Sequence, residues 1–327
     1  MNKLLTKLAL IVAITLSAAT AVGQAPRAGA PGPGMAVPVI DTTAKFPKDV
    51  TMHGDIVVSS PRGYRPVTLD LYLPKASKPV PLLIFVHGGG WAGGSARSAE
   101  VIGENFPAMF AEFSSKGYAV ASLNYRLSSE AKFPSQIQDL NAAIRFLKSK
   151  AQTYGIDAER IVVWGASAGA HITMLSALDC KKGQFEVPVA AAPASATAPA
   201  TPPPPSTCVK AVVDWFGPTT LASQSPSATA VTYIGCPPGE CADKWKQASV
   251  IESLQAGAPP FLIVHGNVDT TVPYAQSKEL LESLTKLSVK AQLHTVPYGN
   301  HLFRGAARPD IEAAIRKTFD FVEQQTK

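Results

Sequence analysis

The amino-acid sequence predicts an α/β fold, a mostly parallel sheet of eight strands with helices on both faces. Three observations carry that expectation. Six short runs are predominantly apolar, as strands buried on both faces are, and two earlier segments also have strand character. Between the runs, apolar residues recur at the helical spacing of three and four. Of the 327 residues, 46% are hydrophobic and 17% charged, which provides for a large core and excludes a disordered or fibrous chain.

Taken in order, residues 1–23 read as a secretory signal peptide. Lys3 and Lys7 precede the apolar run 8–16, and Ala19, Ala21 and Gly23 supply a small-x-small cleavage pattern. The run is shorter than the roughly 20 residues a spanning helix needs, so a secreted or periplasmic protein without a membrane anchor is expected. Residues 24–52, rich in Ala, Pro and Gly without periodicity, read as a flexible leader, and 53–327 as one folded domain. Segments 55–59 and 67–73, joined by Pro61-Arg62-Gly63, read as an antiparallel hairpin. The six buried strands are expected at 82–86, 119–123, 161–164, 211–216, 261–264 and 292–296. Helical faces are formed by Ile137, Leu140, Ile144 and Leu147 after Pro134, by Leu280, Leu281, Leu284 and Leu287, and by Ile311, Ile315 and Phe319 after Asp310. An Ala/Pro-rich stretch near 189–205, with four consecutive prolines, excludes a central strand and reads as an extended surface insertion.

Export places the four cysteines in an oxidising compartment, where two disulfides are expected. Local pairing is favoured: Cys236 with Cys241 across the turn-forming Pro237-Pro238-Gly239-Glu240, and Cys180 with Cys208 across the Ala/Pro-rich insertion. No Cys-x-x-Cys spacing or histidine cluster accompanies them, so no metal site is expected.

Gly165-Ala166-Ser167-Ala168-Gly169 stands between the strand 161–164 and a helix. In that context G-x-S-x-G is a nucleophile turn, whose small neighbours let the backbone fold tightly and present the serine hydroxyl. The helix start directs N–H groups toward developing negative charge. His87-Gly88-Gly89-Gly90-Trp91 follows the strand 82–86. Neither a phosphate-loop lysine nor dinucleotide-binding glycine spacing accompanies it, so Gly88 and Gly89 read, with Ala168, as N–H donors to an oxyanion. His87 reads as the anchor of that loop. Of the other histidines, His301 lies in the polar loop Tyr298-Gly299-Asn300-His301 and reads as the general base. His53 precedes the core, His171 follows Ser167 by one helical turn, His265 ends a strand and reads as fixing the next loop, and His294 lies inside the last strand. Asp269, just past the strand 261–264, reads as the acid that orients His301, with Asp214 as the competing assignment. The order Ser167, Asp269, His301 is that of an α/β-hydrolase.

With Asn124-Tyr125-Arg126-Leu127, Phe133-Pro134 and the 213–218 segment, these motifs resemble α/β-hydrolase esterases of the bacterial feruloyl-esterase-like and hormone-sensitive-lipase-like group, over roughly residues 53–325. The resemblance implies that fold, Ser167 as nucleophile with Asp269 and His301, and an oxyanion hole from Gly88, Gly89 and Ala168. It further implies that the Tyr125-Arg126-Leu127 stretch and Asp139 support the oxyanion loop. Residues 24–52 lack the amphipathic helices of the hormone-sensitive-lipase cap, so no large cap domain is expected. The function this implies is a secreted serine carboxylic-ester hydrolase, working through an acyl-enzyme without a cofactor on acyl or feruloyl-type esters, small or polysaccharide-linked. Trp91, Trp215, Phe216 and Tyr298 are candidate aromatic walls of a substrate pocket, each equally explicable as core or loop packing. A serine exopeptidase or oligopeptidase-like hydrolase and a short-chain lipase would use the same triad. The 30 basic and 24 acidic residues, a net +6 without long runs, offer no basic patch for nucleic acid, and nothing in the sequence speaks to an oligomeric state.

Overall fold

The computed structural model describes residues 46–98, 105–187, 203–221 and 226–327. The expected signal peptide, most of the leader and most of the Ala/Pro-rich insertion lie outside them. Strands β1 (Val50–Ser59) and β2 (Val67–Pro74) form the antiparallel hairpin. They lead into β3 (Val80–Val86), β4 (Ala119–Asn124), β5 (Ile156–Ala166), β6 (Ala211–Trp215), β7 (Phe261–Gly266) and β8 (Ala291–Val296). The sheet runs β1-β2-β4-β3-β5-β6-β7-β8. Strand β2 also pairs antiparallel with β4, and every pairing from β4 to β8 is parallel.

The central strands β3 to β7 are mostly apolar because both faces of the sheet are covered there. Along β3, Leu82, Ile84 and Val86 pack on the face of α2 (Ser135–Ser149), α4 (Ala168–Asp179) and α8 (Tyr274–Lys286). Leu83 and Phe85 pack on the other, under α1 (Phe106–Ser115) and α9 (Arg308–Thr326). Each such side chain, fully removed from water, contributes about 1.5–3 kcal/mol. The second face is aromatic: Trp164 lies 4.9 Å from Phe85 and 4.8 Å from Trp215 between ring centroids. Trp215 is fully buried there and its indole N–H donates to Thr318 Oγ1 of α9 at 2.9 Å. It is a core residue and not the wall of a substrate pocket, since both its ring and its polar atom are engaged by the helix behind the sheet.

Seven elements depart from the sequence reading. Strand β1 starts inside the stretch assigned to the leader, because Phe46, Val50 and Met52 pack against the aromatic face, Phe46 standing 5.9 Å from Tyr72. Strand β5 begins at Ile156, where the chain pairs with Val80 ahead of the apolar run. Helix α1, absent from the expected elements, is capped by Asn105 Oδ1, which accepts the Ala108 N–H at 3.0 Å. The short helices α3 (Ala151–Tyr154), α5 (Ala228–Ile234), α6 (Ala242–Gln247) and α7 (Val250–Ser253) span too few turns to show a hydrophobic period. Among the described residues no helix is long and apolar enough to cross a membrane.

Both expected disulfides form: Cys180–Cys208 ties the end of α4 to the approach to β6, and Cys236–Cys241 ties the end of α5 to the start of α6. Replacing Cys180 and Cys208 by Ser frees a 28-residue separation and should lower the unfolding free energy by about 3–4 kcal/mol. Replacing Cys236 and Cys241, five residues apart, should cost about 2 kcal/mol. Urea midpoints that rank the two pairs in the opposite order would contradict this.

Candidate active site

Ser167 joins β5 to α4 with φ 53° and ψ −121°, a conformation a serine holds only when its surroundings impose it. They do so through backbone. The Ser167 N–H donates to Trp215 O at the end of β6 at 2.8 Å. A Cβ on Gly165 would collide with the Gly169 backbone, and one on Gly169 with Val86 O at the end of β3. No side chain fits at either glycine, so the spacing of the motif follows from the approach of β3 and the turn.

Ser167 Oγ lies 3.0 Å from His301 Nε2, and His301 Nδ1 lies 2.7 Å from Asp269 Oδ2. A carboxylate only accepts, so Nδ1 of neutral His301 carries the proton and Nε2 is left to accept the serine hydroxyl. The Asp269 side chain is fully buried. Its Oδ1 accepts the N–H groups of Thr271 and Val272 at 2.8 and 2.9 Å, and Oδ2 accepts also from His265 Nε2 at 3.1 Å. Burial alone would raise its pKa; the hydrogen bonds from His265 and His301 outweigh that and hold it well below the usual carboxylate range. Asp269 is therefore held as the carboxylate.

The acid and histidine loops are stitched together. Asn300 Oδ1 accepts the N–H of Thr270 at 2.9 Å and of His301 at 2.7 Å, and Asn267 Oδ1 accepts that of Tyr298 at 2.8 Å. A Cβ on Gly266 would collide with Gly299 O, so the two loops touch backbone to backbone.

The glycine loop passes directly over Ser167: a Cβ on Gly88 would be 2.9 Å from Ala166 O and 3.2 Å from Ser167 Cβ. Gly89 has φ +101° and no room for a side chain beside Gly93 O. The Tyr125 hydroxyl reaches the carbonyls of both His87 and Gly88 at 3.2 Å, and its ring stacks on His87 with centroids 4.3 Å apart. The neighbouring Arg126 is locked to buried Asp139 by its guanidinium and its own N–H, the latter at 2.8 Å. The Ser128 N–H donates to Trp91 O at 2.8 Å, closing the loop from the other side.

Helix α5 lies against this loop: Gly90 faces Thr229, and Trp91 stacks on Tyr233 with centroids 4.5 Å apart. Trp91 and Phe216 are both buried, Phe216 with its ring 5.0 Å from that of His301. They shape the loop and the histidine from behind and are not pocket walls. Of the four aromatic candidates only Tyr298, 76% exposed, presents its ring to solvent. The competing acid Asp214 bonds Gly217 N–H at 2.8 Å and no histidine, and burial pushes its pKa up to about 7.

The BD-FAE family model matches residues 69–284, which include the glycine loop, Ser167 and Asp269. The chain belongs to the BD-FAE family. Esterase LipC of Mycobacterium tuberculosis is 28% identical over 229 residues, covering 67% of this chain and 52% of LipC. The probable carboxylic ester hydrolase LipM of the same organism is 26% identical over 238 residues, covering 70% and 51%. The chain thus spans about half the length of the curated relatives it matches. A solved structure described as a truncated carbohydrate esterase from gut microbiota superposes with a TM-score of 0.68 at 28% identity, covering 86% of this chain and 99% of that one. The fold of this BD-FAE chain is that of the α/β-hydrolase esterases.

Tyr125→Phe keeps the stack on His87 but frees the two loop carbonyls, and should lower kcat/KM for an ester about tenfold while moving the unfolding free energy by no more than about 1.5 kcal/mol. Unchanged kinetics would contradict the anchoring role. His87 and His171 are buried, which pushes each pKa down to about 4. The unfolded chain binds these protons near pH 6.5 and the folded chain only near pH 4, so both sites withdraw stability as pH falls through that window. Urea midpoints should therefore decline from about pH 6.5 to about pH 4, and a flat profile would contradict the burial of neutral imidazoles.

Proposed function

We propose that the protein is a secreted serine carboxylic-ester hydrolase that acts through an acyl-enzyme on Ser167, with acyl or feruloyl-type esters, including carbohydrate-linked ones, as substrates. The line Ser167, His301, Asp269, with its 3.0 and 2.7 Å contacts, carries this reading. As Ser167 Oγ attacks the ester carbonyl carbon, its proton passes to His301 Nε2, and Asp269 stabilises the resulting imidazolium. The oxyanion is received by the N–H groups of Gly88, Gly89 and Ala168, each worth about 3–4 kcal/mol to the transition state. Collapse breaks the bond to the alcohol oxygen, which takes the proton from His301 and leaves. A water, deprotonated by the same nitrogen, then attacks the acyl-serine and releases the acid. The carbohydrate-linked class is supported by the gut-microbiota carbohydrate esterase, whose fold and 28% identity extend over 86% of this chain. The two disulfides support an oxidising compartment.

Ser167→Ala should abolish hydrolysis of p-nitrophenyl acetate with the circular dichroism spectrum retained, and Asp269→Asn should lower kcat by about 10⁴. A panel of acetyl, butyryl, octanoyl and feruloyl esters beside peptide anilides should show turnover confined to the esters. Full activity in Ser167→Ala sinks the assignment, and faster turnover of the anilides would replace the ester reading with a peptidase one.

A further inference from the structure

Asp269 serves two imidazoles, and the reaction above uses one. His265, at the end of β7, has a side chain wholly withdrawn from solvent. Its Nε2 stands 3.1 Å from Asp269 Oδ2 and 3.0 Å from Val272 O, and its Nδ1 stands 2.6 Å from Ser277 Oγ in α8. Both neighbours of Nε2 are acceptors, so Nε2 carries the proton and Nδ1 accepts from the Ser277 hydroxyl. Two Ser–His arms therefore converge on one carboxylate oxygen. One ends at Ser167 in the site, the other at Ser277 in the core.

We propose that His265 is a positioning residue for the reaction at Ser167, which fixes the Asp269 carboxylate and shares its charge with His301. The inference rests on the triad reading. A buried carboxylate must have its charge met by donors, and Oδ1 is already occupied by two backbone N–H groups. If Oδ2 had His301 as its sole donor, the whole of its residual charge would favour the imidazolium, and His301 would lose its proton only at higher pH. The second donor at 3.1 Å draws off part of that charge and holds the carboxylate against rotation. Another titratable group facing the pair is Tyr274 of α8, 5.7 Å from the His265 ring with its hydroxyl on Thr295. Lys278 lies beyond, over the Tyr274 ring.

The test compares His265→Leu with His265→Gln by kcat, KM and the pH profile of kcat/KM on a p-nitrophenyl ester. Leu removes the donor at similar volume: kcat should fall roughly 10- to 100-fold with KM within about twofold, and the acidic limb should move to higher pH by about half a unit or more. Gln restores an N–H donor and should recover most of both. A Leu variant with unaltered kcat and limb overturns the proposal, as does an equal loss in both variants with the limb unmoved, which is what a purely structural histidine gives. If neither variant folds by circular dichroism, Ser277→Ala decides: it weakens the second arm and should shift the limb in the same direction by a smaller amount, and an unmoved limb overturns the proposal. A fluorophosphonate that leaves Ser167 of the unaltered protein unlabelled sinks the triad reading itself, whereas labelling with an unmoved limb sinks only the role of His265.

Discussion

A carboxylate that water does not reach organises this protein. Asp269 is ionised inside the fold, and the chain around it is arranged to supply donors: two backbone N–H groups on one oxygen, two imidazoles on the other. An unpaired charge there would cost several kcal/mol, so the loop after β7 and the loop before α9 are each held in one conformation. Asn300, Asn267 and the contact of Gly266 with Gly299 transmit that restraint from one loop to the other. His301 inherits its tautomer and its aim toward Ser167 from this arrangement.

The sheet supplies the rest. Parallel strands end at a common edge, so Gly88 after β3, Ser167 after β5, Asp269 after β7 and His301 after β8 meet there although they are far apart along the chain. The strain at Ser167 persists because β6 holds its N–H and β3 crowds Gly169, so relaxing the turn would break the sheet edge itself. Tyr125 and the Arg126–Asp139 pair fix the glycine loop above, and α5 closes over it.

Much of this is legible in the sequence, and the limits have physical causes. Strands buried on both faces announce themselves by continuous apolar runs, whereas β1 is half-exposed along Val50–Ser59 and its polar and glycine residues resemble a leader. Helices α5, α6 and α7 are too short to establish a period, so no pattern marks the cover over the glycine loop. Ser167, Asp269 and His301, the proposed nucleophile, acid and base, stand in motifs whose local context is part of the signal. Trp215 shows the converse: an aromatic beside the site looks like a pocket wall until its indole N–H is found on Thr318 behind the sheet. The contact of His265 with Asp269 lies between residues four apart, but a strand end and a loop separate them, and no periodic pattern marks such a pair.

In the proposed reaction Ser167 carries the acyl group during turnover. Rapid acid quench of the protein reacting with p-nitrophenyl acetate, followed by peptide mass mapping, tests it most directly. An acetyl group is expected on the peptide containing Ser167, formed with the first release of p-nitrophenol and lost at the rate of steady-state turnover. Turnover with that peptide unmodified throughout, or acetylated at another residue, would contradict it.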